Sequence, residues 1–343
     1  MITGRAGSIV AALGILAGAA GLAPARGAQA LRLLQTIPLP GVEGRLDHMA
    51  LDAAGQRLFL AALGNHTVEV IDLRAGRRTR SLTGFHEPQG VAFLPAPPRL
   101  VVADGGDGTC RVLDGATLTL LRTIRLGEDA DNVRVDEAAR RVYVGFGSGA
   151  LAVLDGVTGD SLGRVGLPAH PESFQLEDHG TRIVVNVPEA GEVTVADRLT
   201  RAVVAHWRLE GAGSNYPMVL EPGGRRLLVG CRRPARLIVL DTTSGRAVAA
   251  VPLDGDVDDL AFDARTRRLY ASCGAGFLDV VAVPDTGAIR VLARVPGAAG
   301  ARTSYFDEAR GRLYLAVPRR GRQPAAIRVF GVAAPPTRPP SGS

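Results

Sequence analysis

The sequence of 343 residues predicts an all-β chain, a seven-bladed β-propeller with four-stranded antiparallel blades. Three observations carry that prediction. An acid, a turn and an arginine followed by a short apolar run recur as LDAAGQRLFLAA, VDEAARRVYVGF, LEDHGTRIVVNV, LEPGGRRLLVGC, FDARTRRLYASC and FDEARGRLYLAV, with GVAFLPAPPRLVVAD as a seventh copy. Aligned on Asp52, Leu94, Asp136, Glu177, Glu221, Asp263 and Asp307, the copies are spaced by 42, 42, 41, 44, 42 and 44 residues. Each period divides into four apolar segments broken by Gly, Asp and Pro, as strands joined by turns require.

The elements follow in chain order. Residues 1–30, MITGRAGSIVAALGILAGAAGLAPARGAQA, place Arg5 ahead of an apolar run from Ser8 to Ala23 and an Ala-x-Ala at Ala28–Ala30. That is the layout of a secretory signal peptide, so the mature protein is expected to be periplasmic or secreted. The run is shorter than the roughly 20 residues that span a bilayer, so no membrane span is expected after cleavage. Next comes LRLLQTIPLP, residues 31–40, which matches fourth-strand segments such as LLRTIRLG. An open last blade would expose an unpaired edge. The final strand AAIRVFGV is followed only by AAPPTRPPSGS, so the N-terminal strand is predicted to close the ring as the outermost strand of the last blade. The propeller domain is thus 31–332, and residues 333–343 form a disordered Pro-rich tail.

Within a unit the segments read DNVRVD, RRVYVGF, GALAVLD and SLGRVGL. The middle two are apolar on both alternations, as strands buried on both faces between neighbouring blades must be. Arginine stands five residues after each reference position, at Arg57, Arg99, Arg141, Arg182, Arg226, Arg268 and Arg312. Six of these face an acid across a hairpin, where an exposed pair contributes about 0–1 kcal/mol. A feature repeated in nearly every blade belongs to the scaffold.

Composition narrows the function classes. All 40 basic residues are Arg, a bias that a GC-rich genome explains without a nucleic-acid partner, and aromatic content of 4% argues against a base-stacking surface. Cys110, Cys231 and Cys273 are an odd number, which excludes a complete disulfide framework. Cys231 and Cys273 share a repeat position, so a bridge between them is conceivable, but two small buried thiols are expected. No CxxCH, GxSxG or P-loop string is present.

Function in a repeat protein is expected where copies differ, in the loops at one end of the ring. The loops leading into the innermost strands place Asp47, Gln89, Asp131, Glu172, Tyr216, Asp258 and Arg302 at one level around the channel mouth. His48 and Asn132 follow directly. Asp47, Asp131, Glu172 and Asp258 are the candidate metal ligands, because carboxylates converging on an axis repel one another unless a proton, an arginine or a hard cation such as Ca²⁺ compensates. Arg302, His48, Gln89, Asn132, Tyr216, Arg232, Arg233 and Arg319 are the candidate ligand-binding residues, the last three in loops between second and third strands. With Arg302 those arginines suit a small anionic ligand or an acidic protein partner. His48, His86, His170 and His66 lie in loops of the same face and could hold zinc or copper or act as a base.

The RLYV-like second strands and VLD third strands resemble the YVTN-repeat β-propellers, and residues 31–332 as a whole are similar to YncE-like proteins. The resemblance implies the architecture and is almost silent about chemistry; a monomer is expected, and the polar, Arg-bearing face carries the binding reading. Related propellers imply two alternatives. Gluconolactonase-type enzymes hold a divalent ion at the mouth, for which Glu172, Asn132, Asn215 and Asp258 offer a similar set, although those enzymes have six blades. Quinoprotein amine dehydrogenase-like propellers imply a redox subunit with a noncovalent cofactor. The reading is therefore an exported binding propeller, with a metal-dependent lactonase or a redox subunit as alternatives.

Overall fold

The computed structural model describes Met1 and residues 30–332. Apart from Met1 and Ala30, the expected signal peptide and the Pro-rich tail lie outside the described residues. Seven four-stranded antiparallel sheets form, and their strands follow chain order from the centre outward in six of them. These blades span 49–82, 88–125, 133–166, 174–208, 213–252 and 257–296. The seventh takes its three inner strands from 304–332 and its outermost strand, Leu31–Pro38, from the start of the chain.

The closing strand pairs antiparallel with Ala326–Val332, as the outermost strand of the last blade. Leu31 faces Val332, Ile37 faces Ile327 and Pro38 faces Ala326, with one irregularity between Leu33 and Gln35. Ile37 is 1% exposed, whereas Leu33 is 50% exposed, so the strand buries one face and leaves the other to solvent. Pro38, which has no N–H to give to a ladder, ends the strand.

Apolar side chains pack between blades. One cluster joins Ile37 and Ile327 of the last blade to Leu58, Leu60 and Ile71 of the first. Another joins Leu228 and Val239 of the fifth blade to Leu260, Leu269 and Val281 of the sixth. The alternation in the sequence explains this arrangement. Arg57–Ala62 is buried almost throughout, while the outer strand Arg77–Leu82 is largely exposed. All three cysteines are free and buried, so Cys231 and Cys273 are packing thiols.

The repeated arginine does more than the sequence indicated. Arg57 gives Nε and Nη2 hydrogen bonds of 2.9 and 2.6 Å to Asp52, and Nη2 also donates at 2.6 Å to Gly115 O in the next blade. Arg182, paired with Glu177, reaches Thr242 O at 2.8 Å. Arg226, paired with Glu221, reaches Pro284 O at 3.0 Å. In each case the carbonyl belongs to the following blade's outer turn, so these arginines staple neighbouring blades. Elsewhere the acid takes a different cation: Asp136 pairs with Arg198 at 2.9 Å and Asp307 with Arg310 at 2.9 Å. No helix among the described residues is long and apolar enough to cross a membrane.

Candidate functional site

The innermost strands of all seven blades line a central channel that encloses a cavity of about 480 Å³. Leu51, Val91, Val133, Val219 and Leu260 supply apolar wall, with His48, Arg134 and Asp259 as polar groups toward one end. The loops entering those strands bring the predicted carboxylates to that end.

Asp47 and Asp131 are 2% and 7% exposed, and Glu172 and Asp258 are half-buried. Each of the four is raised above the ordinary carboxylate range, burial being the largest cause. Asp47 and Glu172 add to the rise of Asp131. For Glu172, burial followed by Asp258 and Asp47 pushes the carboxyl up to about 8. The four thus lie near enough to interact, Asp47 and Glu172 acting on Asp131 and Asp258 acting on Glu172. Beneath them burial pushes Asp259 up to about 7 and drives His48 down to about 4, which keeps the imidazole neutral at physiological pH. His48 Nε2 lies 3.9 Å from Asp131 Oδ1 and 4.0 Å from Asp47 Oδ1.

The compensating cations are arginines. Arg302 Nε is 2.9 Å from Asp258 Oδ2, and its Nη1 is 3.1 Å from Asp256. Arg232 pairs with Asp258, donates from Nε to Val257 O at 2.9 Å, and sits 4.1 Å from the Tyr216 ring. Arg45 Nη2 lies 2.8 Å from Asp47 Oδ2, and its charge is further stabilised by Asp258, Asp131 and Glu172. Arg45 thus lies within electrostatic reach of all four mouth carboxylates. Its loop is fixed by close backbone approach: Gly44 has φ +70°, and a Cβ there would lie 2.9 Å from Gly64 Cα.

Sequence reasoning missed Arg45, although a signal existed. In an extended segment, side chains two apart share a side, so the residue two before Asp47 faces the same space. The same step gives Asp129 and Asp256 before Asp131 and Asp258, and both join the network.

The other expected residues divide. Gln89 turns to Asp129, donating from Nε2 to Oδ1 at 2.9 Å. Its successor is Gly90 because a Cβ there would lie 2.1 Å from Asp131 O. Asn132 donates to Asp131 Oδ2 at 3.2 Å, leaving its own Oδ1 and Asp131 Oδ1 buried without a hydrogen bond. Of the arginines expected to face an anion, Arg232, Arg302 and Arg319 each hold a carboxylate of the protein itself, Arg319 pairing with Glu43. Arg233 is exposed at the end of its strand. His66 bonds to the carbonyl of His86, and His170 bonds to the carbonyl of Gly147 with its Nε2 3.7 Å from Asp129 Oδ2, at the edge of the mouth network. Among the described residues no group of three or more His, Cys, Asp and Glu side chains is placed to hold a metal ion.

No protein-family model matches the chain. A stretch of 86 residues is 37% identical to an uncharacterized WD repeat-containing protein of Synechocystis sp., covering 25% of this chain and 23% of that protein. The chain thus spans about a quarter of that relative's length. Among solved structures, a chain of Kuenenia stuttgartiensis hydrazine synthase superposes with a TM-score of 0.72 at 18% identity, over 81% of this chain and 95% of the other. A chain of a mitotic checkpoint complex superposes with a TM-score of 0.77 at 14% identity, over 95% and 99%. At these identities the likeness shows the propeller fold and leaves function to the site.

Proposed function

We propose that this chain is an exported, YncE-like propeller of the YVTN-repeat type that acts as a binding module, its ligand seated in the channel mouth bounded by Asp47, Asp131, Glu172 and Asp258. One observation carries the reading: these acids crowd together at one end of the ring, and although Asp258 bridges to Arg232 and Arg302 of the neighbouring blades, no such arginine bridge between blades among the described residues accounts for Asp131 or Glu172. Burial raises all four, and like charges add to the rise of Asp131, Glu172 and Asp258, so their presence costs stability. Costs of this kind concentrate at sites where a ligand supplies the missing compensation. The cavity below, with an apolar stretch at Leu51, Val91, Val133 and Leu260, gives a ligand somewhere to extend. The lactonase alternative would need the same carboxylates to close on a divalent ion, with Arg45 out of the space between them.

The reading is tested by thermal-shift screening of a chemically diverse small-molecule library against the full chain and against Asp131→Asn. Hits that stabilise the wild type and lose their effect in the variant support a mouth site. Hits that persist unchanged in the variant place the ligand elsewhere and overturn it.

A further inference from the structure

We infer that Arg45 is a tethered stand-in for the cationic head of the ligand, and that the mouth takes a small organic cation, a guanidinium or primary ammonium on an apolar body, once Arg45 swings aside. The inference rests on the mouth being the ligand site and names the class of ligand.

Three observations lead to it. Six carboxylates, Asp47, Asp129, Asp131, Glu172, Asp256 and Asp258, meet three guanidinium groups, Arg45, Arg232 and Arg302, with Arg134 and Asp259 beneath them, so acids outnumber cations and a ligand cation can replace the protons that burial and repulsion hold on them. The three arginines also differ in how they are held. Arg232 has a backbone carbonyl and the Tyr216 ring, and Arg302 bridges Asp256 and Asp258. Their side chains are 20% and 24% exposed. The Arg45 side chain is 44% exposed and has one carboxylate within 4 Å, Asp47, while its backbone is anchored by accepting from Gly64 N at 2.9 Å. It can leave without moving its loop.

The second observation is an acceptor without a donor. Asp131 is 7% exposed, its Oδ1 accepts no hydrogen bond, and the 3.9 Å separation from the cavity-lining His48 directs it toward the channel. A buried carboxylate oxygen of this kind is completed by N–H donors. A bare divalent ion would need several oxygens at about 2.3–2.6 Å, and no such group is assembled among the described residues. Third, past His48, Arg134 and Asp259 the cavity wall has an apolar stretch, Leu51, Val91, Val133 and Leu260, with room for a body attached to the charged head.

Isothermal titration calorimetry of the full chain tests this with benzylamine, with benzoate as the anion of similar shape, and with Ca²⁺. Benzylamine is expected to bind and benzoate not. Arg45→Ala should bind benzylamine about tenfold more tightly, the gain from removing a competitor that fills a site roughly nine-tenths of the time. Asp131→Asn and Glu172→Gln, each checked for folding by circular dichroism, should both weaken it by about tenfold or more. Benzoate binding in place of benzylamine, tight Ca²⁺ binding that excludes benzylamine, no binding of benzylamine, or an Arg45→Ala affinity equal to wild type would each overturn the inference. Library hits that depend on Asp131 but carry no positive charge would overturn the ligand class while leaving the mouth as the site.

Discussion

Arg45 and Asp47 lie two residues apart on one loop, with Nη2 2.8 Å from Oδ2, and this contact puts a protein cation among four acids from four different blades. The blades themselves are held by other pairs, so the mouth and the scaffold can be perturbed separately.

Arg57 tests the scaffold. Its guanidinium serves Asp52, the Gly115 carbonyl of the next blade and the faces of Phe59 and Phe93 at 5.4 and 5.9 Å. Lysine cannot reproduce that fork. Arg57→Lys is expected to lower stability by about 1–3 kcal/mol, as loss of a charged hydrogen-bond partner does, against about 0–1 for an exposed pair. Urea denaturation measures the difference.

Ring closure predicts contrasting costs along one strand. Ile37 is buried against Ile327, Leu58 and Leu60, so Ile37→Ala should cost about 2–5 kcal/mol. Leu33 on the exposed face should cost under about 0.5 kcal/mol on the same substitution. Equal costs in chemical denaturation would contradict the closure.

The cysteines should be silent in the native state. Burial raises the thiols of Cys110 to about 12 and Cys231 to about 11, and raises Cys273 as well. Thiolate is the reactive species. A colorimetric thiol reagent should label none of the 3 cysteines natively and all of them in denaturant, whereas rapid native labelling would contradict this packing.

The architecture was legible because it is written in repetition: a period in the low forties, apolar middle strands and a spare fourth-strand segment at the start determine blade number and closure. The level of Asp47, Asp131, Glu172 and Asp258 was legible for the same reason, since aligned copies place aligned residues around one axis. The cations were not. Arg45 occupies a position filled by Asp129 and Asp256 in other copies, so nothing in the repeat marks it as a partner. Pairing of Arg319 with Glu43 joins residues 276 apart in sequence. Blade stapling by Arg57, Arg182 and Arg226 also escaped the sequence, because the acceptors are backbone carbonyls that carry no residue-specific signal.

The pH dependence of stability tests the central claim, that the mouth acids form a destabilising functional cluster, most directly. Glu172 faces Asp258 and Asp47 with Arg232 and Arg45, and its folded carboxyl is raised from 4.5 to about 8. In that window the folded protein holds a proton that the unfolded chain releases, so stability falls as pH rises. His48 acts oppositely, but between about 4 and 6.5, where the unfolded chain takes up a proton that the folded imidazole refuses. Above 6.5 the acids are unopposed by His48. Urea midpoints measured from pH 6.5 to 8 should fall for the wild type and fall less for Glu172→Gln, which should be the more stable of the two at pH 8. A wild-type midpoint that stays level, or a Glu172→Gln variant less stable than wild type at pH 8, would show that the acids are scaffold.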